Sequence, residues 1–294
     1  MNQAQAKLLL KLLKSNAATD YGRDHEFEQV TSVDDFRCRH PLTRYDHYTD
    51  YVRRIYMGDK NVMTSAATHM LAMTSGTSGE SKMIPYTDDV KSTFFFKGIA
   101  PLYHVLARDF PRFDENVQKT CKLVVPVTFK TSPGKVHIGP NSSTKEDMKR
   151  VRGMYSTPLD AFSIRHEPHM MYVHLLFALA DRNLGAIEAN FAQVVRIAVD
   201  HLHDAWPRLV QDIRVGSIDA NIKMDRNTRE ALEKLLRADP ERANQLAKEF
   251  SAGFDGILKR IWPDLQFILT VNTGSPYSFI NPSSWLYFHS GLVI

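Results

Sequence analysis

Thr74-Ser75-Gly76-Thr77-Ser78-Gly79-Glu80-Ser81-Lys82 is a run of small, polar and charged residues that directly follows the apolar segment Met70–Met73. The apolar segment is typical of a short strand, and the run is typical of a loop that such a strand feeds. Glycines let backbone N–H groups approach an anion closely, hydroxyls donate to its oxygens, and lysine supplies a positive charge. The run therefore predicts a loop that holds a polyphosphate.

The spacing within this run separates the prediction from two alternatives. A Walker A loop places four residues between its glycines and a lysine directly after the second glycine. Here two residues separate Gly76 from Gly79, and Lys82 comes three residues later, which argues against a phosphate-loop kinase. The composition alone leaves open a Ser/Gly-rich surface turn between two strands.

The composition is that of an ordinary globular protein. The chain has 294 residues, of which 43% are hydrophobic and 24% charged, so it can form one large domain or two modest ones. The net charge of +4 is spread along the chain, and a solvated face explains the densest basic cluster, at 149–152. We therefore expect no nucleic-acid partner.

Three features of the sequence bear on the compartment. The two cysteines, Cys38 and Cys121, lie far apart, which argues against a disulfide framework. The apolar run 8–14 contains Lys11 and Lys14 and precedes no small-residue cleavage site, so it predicts an amphipathic first helix. The apolar run 169–180 is shorter than the ~20 residues of a membrane span. We expect a cytoplasmic protein without a membrane span.

Hydrophobic periodicity predicts mixed strands and helices, and hence an α/β or α+β domain. Residues 1–65 are predicted to be mostly helix and loop. The predicted strands lie at 67–73, 122–127, 135–138 and 266–271, and the predicted helices at 88–110, 168–182, 185–203 and 240–262. The strand at 135–138 is expected to pair with that at 122–127, and Pro207 is expected to stop the third helix.

The twelve histidines suggest a metal site, but their spacing gives little support. Only His166 and His169 have a helical i, i+3 spacing, and Pro168 lies between them, so we assign no metal ligand from the sequence. His174 is predicted to line the core or a substrate cavity. No Gly-x-Ser-x-Gly motif occurs, which argues against a serine hydrolase, and no catalytic residue is assigned.

The run at 74–82 resembles the first phosphate-binding motif of the adenylate-forming ANL superfamily, although Ser81 stands where many members have proline. Other segments are similar to the Gretchen Hagen auxin-responsive family of acyl acid amido synthetases. They extend the resemblance over residues 8–274 and are Asn16–Gly22, Phe36, Pro41–Tyr45, Tyr51–Ile55, Tyr172–Phe177, Trp206 with Asp212–Gly216, and Ile261–Leu265.

The resemblance implies an α/β fold with mixed sheets flanked by helices, like the large N-terminal domain of adenylate-forming ligases. Residues 1–273 would form a partial adenylation domain that binds ATP and an acyl group, and 274–294 a divergent tail without the family's C-terminal lid domain. The implied activity is ATP-dependent joining of a carboxylic acid to an amino acid, with Mg²⁺ as cofactor. The implied ATP-binding residues are Thr74, Ser75, Gly76, Thr77, Ser78, Gly79 and Lys82.

The sequence also departs from the family pattern. None of the eleven tyrosines begins the second motif, Tyr-x-x-Ser-Glu, whose glutamate holds magnesium in the family. Tyr56-Met57-Gly58-Asp59 resembles the third motif but precedes the phosphate loop, where that motif does not belong. We therefore expect these 294 residues to be weakly active or inactive by themselves. The alternative is a non-catalytic interaction or regulatory protein that retains the nucleotide-binding half of the fold.

Overall fold

The computed structural model describes residues 3–74, 81–126, 128–140, 152–271 and 292–293. The chain divides into two compact units. The first unit comprises residues 1–104 and 127–142, and the second comprises 105–126 and 143–294. Each unit has a four-stranded sheet accompanied by helices, so the α/β class with mixed strands and helices is confirmed.

The first unit begins with short helices and then forms a mixed sheet, as predicted for residues 1–65. Its helices are α1 (Gln3–Asn16), α2 (Asp20–Asp24), α3 (Val33–Arg39), α4 (Thr49–Met57) and α5 (Asp88–Phe94). Its strands are β1 (Met70–Met73), β2 (Met83–Tyr86), β4 (Lys130–Thr131) and β5 (His137–Pro140), in the order β2-β1-β5-β4. Strand β1 pairs antiparallel with β2 and parallel with β5.

Side-chain caps define the short helices of this unit. The hydroxyl of Thr19 accepts a 2.9 Å hydrogen bond from the backbone of Gly22 at the start of α2. The hydroxyl of Ser32 accepts one of 3.0 Å from Asp35 at the start of α3. Such caps satisfy N–H groups that a helix leaves without partners in its first turn. The small core that these elements share contains Val52, Ile55, Val62, Leu71 and Ile138.

Two glycines let the end of α4 lie against the turn between β4 and β5. Gly58 ends α4 with a left-handed φ of 103°, and Gly134 donates a 3.2 Å hydrogen bond to the carbonyl of Tyr56. A Cβ on Gly134 would lie 2.2 Å from the backbone nitrogen of Gly58. Only glycine fits this approach without backbone movement.

Replacing Gly134 with alanine is expected to lower the free energy of unfolding by about 2 kcal/mol, because the new methyl group overlaps backbone atoms rather than a movable side chain. Urea unfolding measures the change. Gly153→Ala is the control, since a Cβ there meets nothing within 4 Å. Equal stabilities for the two variants would contradict the tight contact.

The second unit has an entirely parallel sheet, β3-β6-β7-β8. Its strands are β3 (Lys119–Leu123), β6 (Leu184–Phe191), β7 (Phe267–Val271) and β8 (Leu292–Val293). Helix α6 (Ala100–Asp109) leads into it from the first unit. The other helices are α7 (Pro111–Glu115), α8 (Glu167–Ala180), α9 (Ala192–Val215), α10 (Arg226–Glu233), α11 (Pro240–Ser251) and α12 (Ile257–Ile261).

The helix predicted for residues 185–203 is wrong at both ends. Residues 184–191 form β6, whose first four residues are all buried, as expected of a strand covered on both faces of a parallel sheet. Helix α9 then continues through Pro207 to Val215. Pro207 is exposed, so water can bind the helix carbonyl that the proline leaves without its usual partner.

Three smaller predictions also need correction. Strand β3 occupies 119–123 rather than 122–127, and β5 pairs with β1 and β4 rather than with β3. The helix predicted for 240–262 is two helices, because Gly253 and Gly256 adopt positive φ between them. Its predicted start is confirmed, since a carboxylate oxygen of Asp239 accepts a 2.8 Å hydrogen bond from Arg242 N–H.

Two buried side chains from the C-terminal part of the second unit hold the end of α8. The Arg242 guanidinium donates 2.9 Å hydrogen bonds to the carbonyls of Leu179 and Ile261, and burial lowers its pKa to about 10. The indole N–H of Trp262 donates a 3.0 Å hydrogen bond to the carbonyl of Ala178. The carbonyls of Ala178 and Leu179 lie in the last turn of α8, where the helix lacks its usual i+4 donors, and the carbonyl of Ile261 ends α12.

Candidate phosphate-binding hairpin

The polar run at 74–82 connects two antiparallel strands of the first unit. Strand β1 ends at Met73 and β2 begins at Met83, and Met73 lies opposite Met83 in the register. The pairing continues one step beyond the strands. Thr74 N–H donates to the carbonyl of Lys82 at 3.0 Å, and Lys82 N–H donates to the hydroxyl oxygen of Thr74 at 3.1 Å. The base of the loop is therefore closed by backbone and side-chain hydrogen bonds.

Of the seven predicted ATP-binding residues, the structure describes the two at the base of the hairpin. Thr74 and Lys82 are brought together there, and Lys82 is exposed to solvent. Ser75, Gly76, Thr77, Ser78 and Gly79 lie outside the described residues. The role of all seven in binding phosphate stays a prediction.

Tyr45 fixes the exit of the hairpin. Its hydroxyl donates to the carbonyl of Met83 and accepts from the N–H of Met83, both at 2.9 Å. The Lys82 ammonium nitrogen lies 5.7 Å from the centre of the Tyr45 ring, within the range of a cation–π interaction. Tyr45 thus contacts both Lys82, the last residue of the run, and the first residue of β2. In the sequence, Tyr45 is distinguished only as part of the segment Pro41–Tyr45 that resembles the family, and no local pattern indicates its contact with Met83.

The chemical groups at the base of the hairpin suit an anion. An exposed ammonium group resting on an aromatic ring keeps its charge available while the ring restricts its position. The hydroxyl of Thr74 already accepts one hydrogen bond and retains its own hydrogen for donation. A phosphate at the loop would therefore meet a positive charge and a hydroxyl donor on the two sides of the hairpin.

The second unit contains His174, which the sequence placed in the core or a substrate cavity. His174 lies in α8, is fully buried, and its Nδ1 is 3.0 Å from the hydroxyl of Thr157. The ring contacts Phe162 edge-on at 4.9 Å. Burial lowers the pKa of His174 to about 3, so the imidazole is neutral at physiological pH. The core part of the prediction is confirmed.

A cavity in the same unit is too small for an acyl chain. It lies between β3, β6, α8 and α9 and is lined by Cys121, Leu123, Leu175, Ile187 and other apolar residues. Its volume of 10 Å³ has room for about one water molecule, and its apolar walls offer no partners to one. Burial raises the pKa of the Cys121 thiol to about 12, so it is not a reactive thiolate. This cavity therefore does not form an acyl-binding site.

A buried ion pair crosses the parallel sheet nearby. The ammonium of Lys122 in β3 lies 2.7 Å from a carboxylate oxygen of Glu188 in β6. The hydroxyl of Tyr155 donates to the other carboxylate oxygen at 3.4 Å, and the Lys122 ammonium lies 5.3 Å from the Tyr155 ring. The charged groups and the hydroxyl thus bind one another. The ion pair is therefore structural, and it fixes the register of β3 against β6.

Within the described part of the chain, His166, His169 and His174 do not form a metal-binding group of three. The rings of His166 and His169 lie 4.2 Å apart, and His169 Nδ1 accepts a 3.0 Å hydrogen bond from the backbone of Lys223. A different set, His25, His40 and His47, forms a group of three within the described part of the chain. Sequence spacing did not indicate this group, because its members belong to three separate elements.

None of the helices that the structure describes is both long and apolar enough to cross a membrane.

Comparison with known proteins identifies the class of this fold. The profile of the GH3 family N-terminal domain matches residues 1–282. The chain therefore belongs to the GH3 family, the Gretchen Hagen family of the sequence resemblance, which is confirmed.

Curated relatives and solved structures agree with this assignment. The probable indole-3-acetic acid-amido synthetase GH3.1 of Oryza sativa subsp. japonica is 29% identical over 292 residues, which cover 95% of this chain and 47% of the relative. The indole-3-acetic acid-amido synthetase GH3.5 of Arabidopsis thaliana is 26% identical, with 99% of this chain and 48% of the relative covered. The chain thus spans about half the length of these relatives.

The structure of the GH3.15 acyl acid amido synthetase superposes on this chain with a TM-score of 0.85 and 26% identity. The match covers 99% of this chain and 52% of that protein. The predicted similarity to the N-terminal part of an amido synthetase is therefore confirmed.

Proposed function

We propose that this chain is the ATP- and acyl-binding part of an acyl acid–amino acid ligase. The observation that carries the proposal is the hairpin at 74–82, closed at its base by Thr74 and Lys82 and held at its exit by Tyr45. The names of its relatives, indole-3-acetic acid-amido synthetases and an acyl acid amido synthetase, support the class of reaction. The two substrates besides ATP are a carboxylic acid and an amino acid.

In the first step, a carboxylate oxygen of the acid bonds to the α-phosphorus of ATP. The bond from that phosphorus to the bridging oxygen breaks, and pyrophosphate leaves with the electron pair. Negative charge therefore develops on the leaving phosphates. We assign its stabilisation to Lys82, to the hydroxyls of Thr74, Ser75, Thr77 and Ser78, and to the backbone N–H groups of Gly76 and Gly79.

In the second step, the amino acid's nitrogen bonds to the activated acyl carbon, AMP leaves, and the nitrogen loses a proton to give the amide. Mg²⁺ would supply charge neutralisation between ATP phosphate oxygens, and we assign no residue of this chain to it. We place the protein in the cytoplasm, where ATP is available. The boundary of the adenylation domain at residue 273 remains part of the proposal.

ATP binding tests the role of the hairpin. We expect ATP with Mg²⁺ to raise the thermal midpoint of the chain, because a ligand that binds only the folded state stabilises it by about 2.7 kcal/mol at 100 times its Kd. The double variant Lys82→Ala/Thr77→Ala is expected to lose this increase, since it removes the charge and one hydroxyl of the loop. Differential scanning fluorimetry over a series of ATP concentrations measures both.

The matched control is Lys97→Ala/Thr93→Ala, which removes the same two residue types from exposed positions of the first unit outside the hairpin. It is expected to keep the full ATP-dependent increase. An increase that persists in the Lys82/Thr77 variant would remove the hairpin from the ATP site.

The alternative is a regulatory protein that binds ATP without catalysis. The feature that favours it is the lack of a Tyr-x-x-Ser-Glu motif in the 294 residues. Acid-dependent exchange of labelled pyrophosphate into ATP tests the alternative. Exchange above background that is lost with Lys82→Ala would exclude the regulatory protein, whereas ATP binding without exchange is expected both of the regulatory protein and of a ligase part that is inactive by itself. Binding of a carboxylic acid in the presence of ATP then supports the ligase part.

A further inference from the structure

Three histidines converge in the first unit, outside the hairpin. His25 follows α2, His40 follows α3, and His47 lies in the 3-10 helix Tyr45–Tyr48. The ring centres are 5.0 Å apart for His25 and His40, 5.1 Å for His25 and His47, and 6.2 Å for His40 and His47. One ring nitrogen or equivalent ligand atom from each lies within 4.8 Å of the other two. All three side chains are half-buried, so the cluster is open to solvent.

Tyr21 lies against all three rings and orients two of them. Its side chain is buried, and its ring centre is 4.3 Å from that of His25. Its hydroxyl forms hydrogen bonds of 2.7 Å with Nε2 of His40 and 3.0 Å with Nε2 of His47. The Tyr21 hydroxyl thus directs the Nε2 atoms of both imidazoles toward the same place.

The hydrogen bonds of His40 determine where its lone pair points. Its Nδ1 lies 3.0 Å from the carbonyl oxygen of Pro41. A carbonyl only accepts, so Nδ1 carries the hydrogen, and the lone pair of Nε2 accepts the 2.7 Å hydrogen bond from the Tyr21 hydroxyl inside the cluster. A ring N–H bonded to a backbone carbonyl is the usual arrangement behind a metal-binding histidine nitrogen.

We propose that His25, His40 and His47 bind one Zn²⁺ ion, with water in the fourth position, and that the ion replaces the Tyr21 hydroxyl at Nε2 of His40 and of His47. Imidazole nitrogens suit zinc, whereas Mg²⁺ and Ca²⁺ prefer oxygen ligands. Nitrogens at 2.0–2.1 Å from a tetrahedral zinc are about 3.3 Å apart. The ligand nitrogens lie within 4.8 Å of one another, so zinc binding requires each pair of half-buried rings to approach by at most about 1.5 Å.

The charge beside the cluster also favours a cation. Asp24 directly precedes His25 in the chain, and its carboxylate accepts a 2.7 Å hydrogen bond from the hydroxyl of Tyr51. A divalent cation bound by the three imidazoles would be attracted by this carboxylate.

Zinc at this position would connect three segments that few buried residues hold together. The ion would link the ends of α2 and α3 to the 3-10 helix, and the latter also carries Tyr45 of the hairpin. The proposal does not depend on the proposed ligase function, because it concerns metal binding alone.

The test uses the full, tag-free chain stripped of metal with EDTA. Isothermal titration calorimetry with Zn²⁺ is expected to give one site per chain, and Zn²⁺ is expected to raise the thermal midpoint. Loss of an outer-shell partner costs about 10–100-fold in metal affinity. Because His40→Gln and His47→Gln each remove a ligand itself, we expect each to lose at least about 100-fold in Zn²⁺ affinity. Tyr21→Phe is expected to bind Zn²⁺ at least as tightly as the parent chain, since it removes only the hydroxyl that the ion replaces.

His137→Gln is the matched control, because His137 is an exposed histidine of the same unit in β5. It is expected to bind Zn²⁺ as the parent chain does. Co²⁺ added to the unaltered chain provides a second measurement that does not depend on any variant's folding, since four-coordinate Co²⁺ has intense visible absorption bands. Absence of these bands, unchanged binding in His40→Gln, or equal loss in His137→Gln would overturn the proposal.

Discussion

Replacing Trp262 with alanine is expected to lower the free energy of unfolding of the second unit by about 4 kcal/mol. Trp262 is 1% exposed and belongs to the main apolar core. Its removal leaves a large cavity, and it also leaves the carbonyl of Ala178 at the end of α8 without its indole donor. Both losses act on the same helix end, which Arg242 also binds through Leu179.

Urea unfolding followed by far-ultraviolet circular dichroism measures this change. Trp206→Ala is the control, since Trp206 is only partly buried and stacks on Phe250 at 5.5 Å, so its loss is expected to cost about half as much. Trp262→Phe separates the two contributions, because it keeps an aromatic ring and removes the N–H donor. A cost no larger for Trp262→Ala than for Trp206→Ala would contradict this account of the core.

The parts of the fold that the sequence predicted are those with strong local signals. The start of α11 was evident from Asp239-Pro240, and Asp239 does cap that helix. The strand before the phosphate loop and the amphipathic first helix also followed from short patterns. In each case the residues that produce the signal are adjacent in sequence, and the interaction that they form is local.

Residues 184–191 show why other elements were missed. Ile187 and Phe191 happen to continue the helical stripe of α9, so periodicity extended the helix backward over a strand. A strand covered on both faces lacks the alternation that would identify it. Its identity comes from pairing with β3 and β7, which are distant in sequence. Gly185 reflects the same packing, since a Cβ there would lie 2.6 Å from Cβ of Gln118.

The candidate site has the same division between local and distant information. The glycines, hydroxyls and lysine of residues 74–82 predicted a phosphate loop from adjacent residues, and the resemblance to the first motif of adenylate-forming ligases favoured it over a surface turn. The contact of Tyr45 with Met83 spans 38 residues, and no short motif indicates it. His25, His40 and His47 come from separate elements, so the i, i+3 and i+4 test for metal ligands could not find them.

Acidification is expected to destabilise the second unit through His174. Its ring is fully buried, and its Nε2 has no hydrogen-bond partner among the residues that the structure describes. A proton on Nε2 would create a buried charge with an unsatisfied donor, and burial accordingly lowers the pKa of His174 to about 3. In the unfolded chain the pKa returns to about 6.5.

The sign of the effect follows from these two pKa values. Above pH 6.5 the imidazole is neutral in both states, and the stability is fully present. As the pH falls below 6.5, His174 binds a proton in the unfolded chain but not in the folded chain. Stability is therefore lost progressively until the pH approaches 3. At about 1.4 kcal/mol per pH unit over the two units between pH 6.5 and pH 4.5, the loss at pH 4.5 is about 3 kcal/mol.

Urea unfolding at pH 7.5 and pH 4.5 measures this loss against two variants. His174→Gln cannot titrate, so the stability difference between it and the parent chain is expected to shift by about 3 kcal/mol in the variant's favour at pH 4.5. His203→Gln removes an exposed histidine of α9 that pairs with Asp204 and is expected to retain the parent's acid sensitivity. Parallel stability curves for His174→Gln and the parent chain would mean that the buried imidazole accepts its proton without unfolding. Nε2 would then have to find an acceptor in the folded protein, and the closed packing of α8 against Phe162 and Thr157 would be wrong at that position.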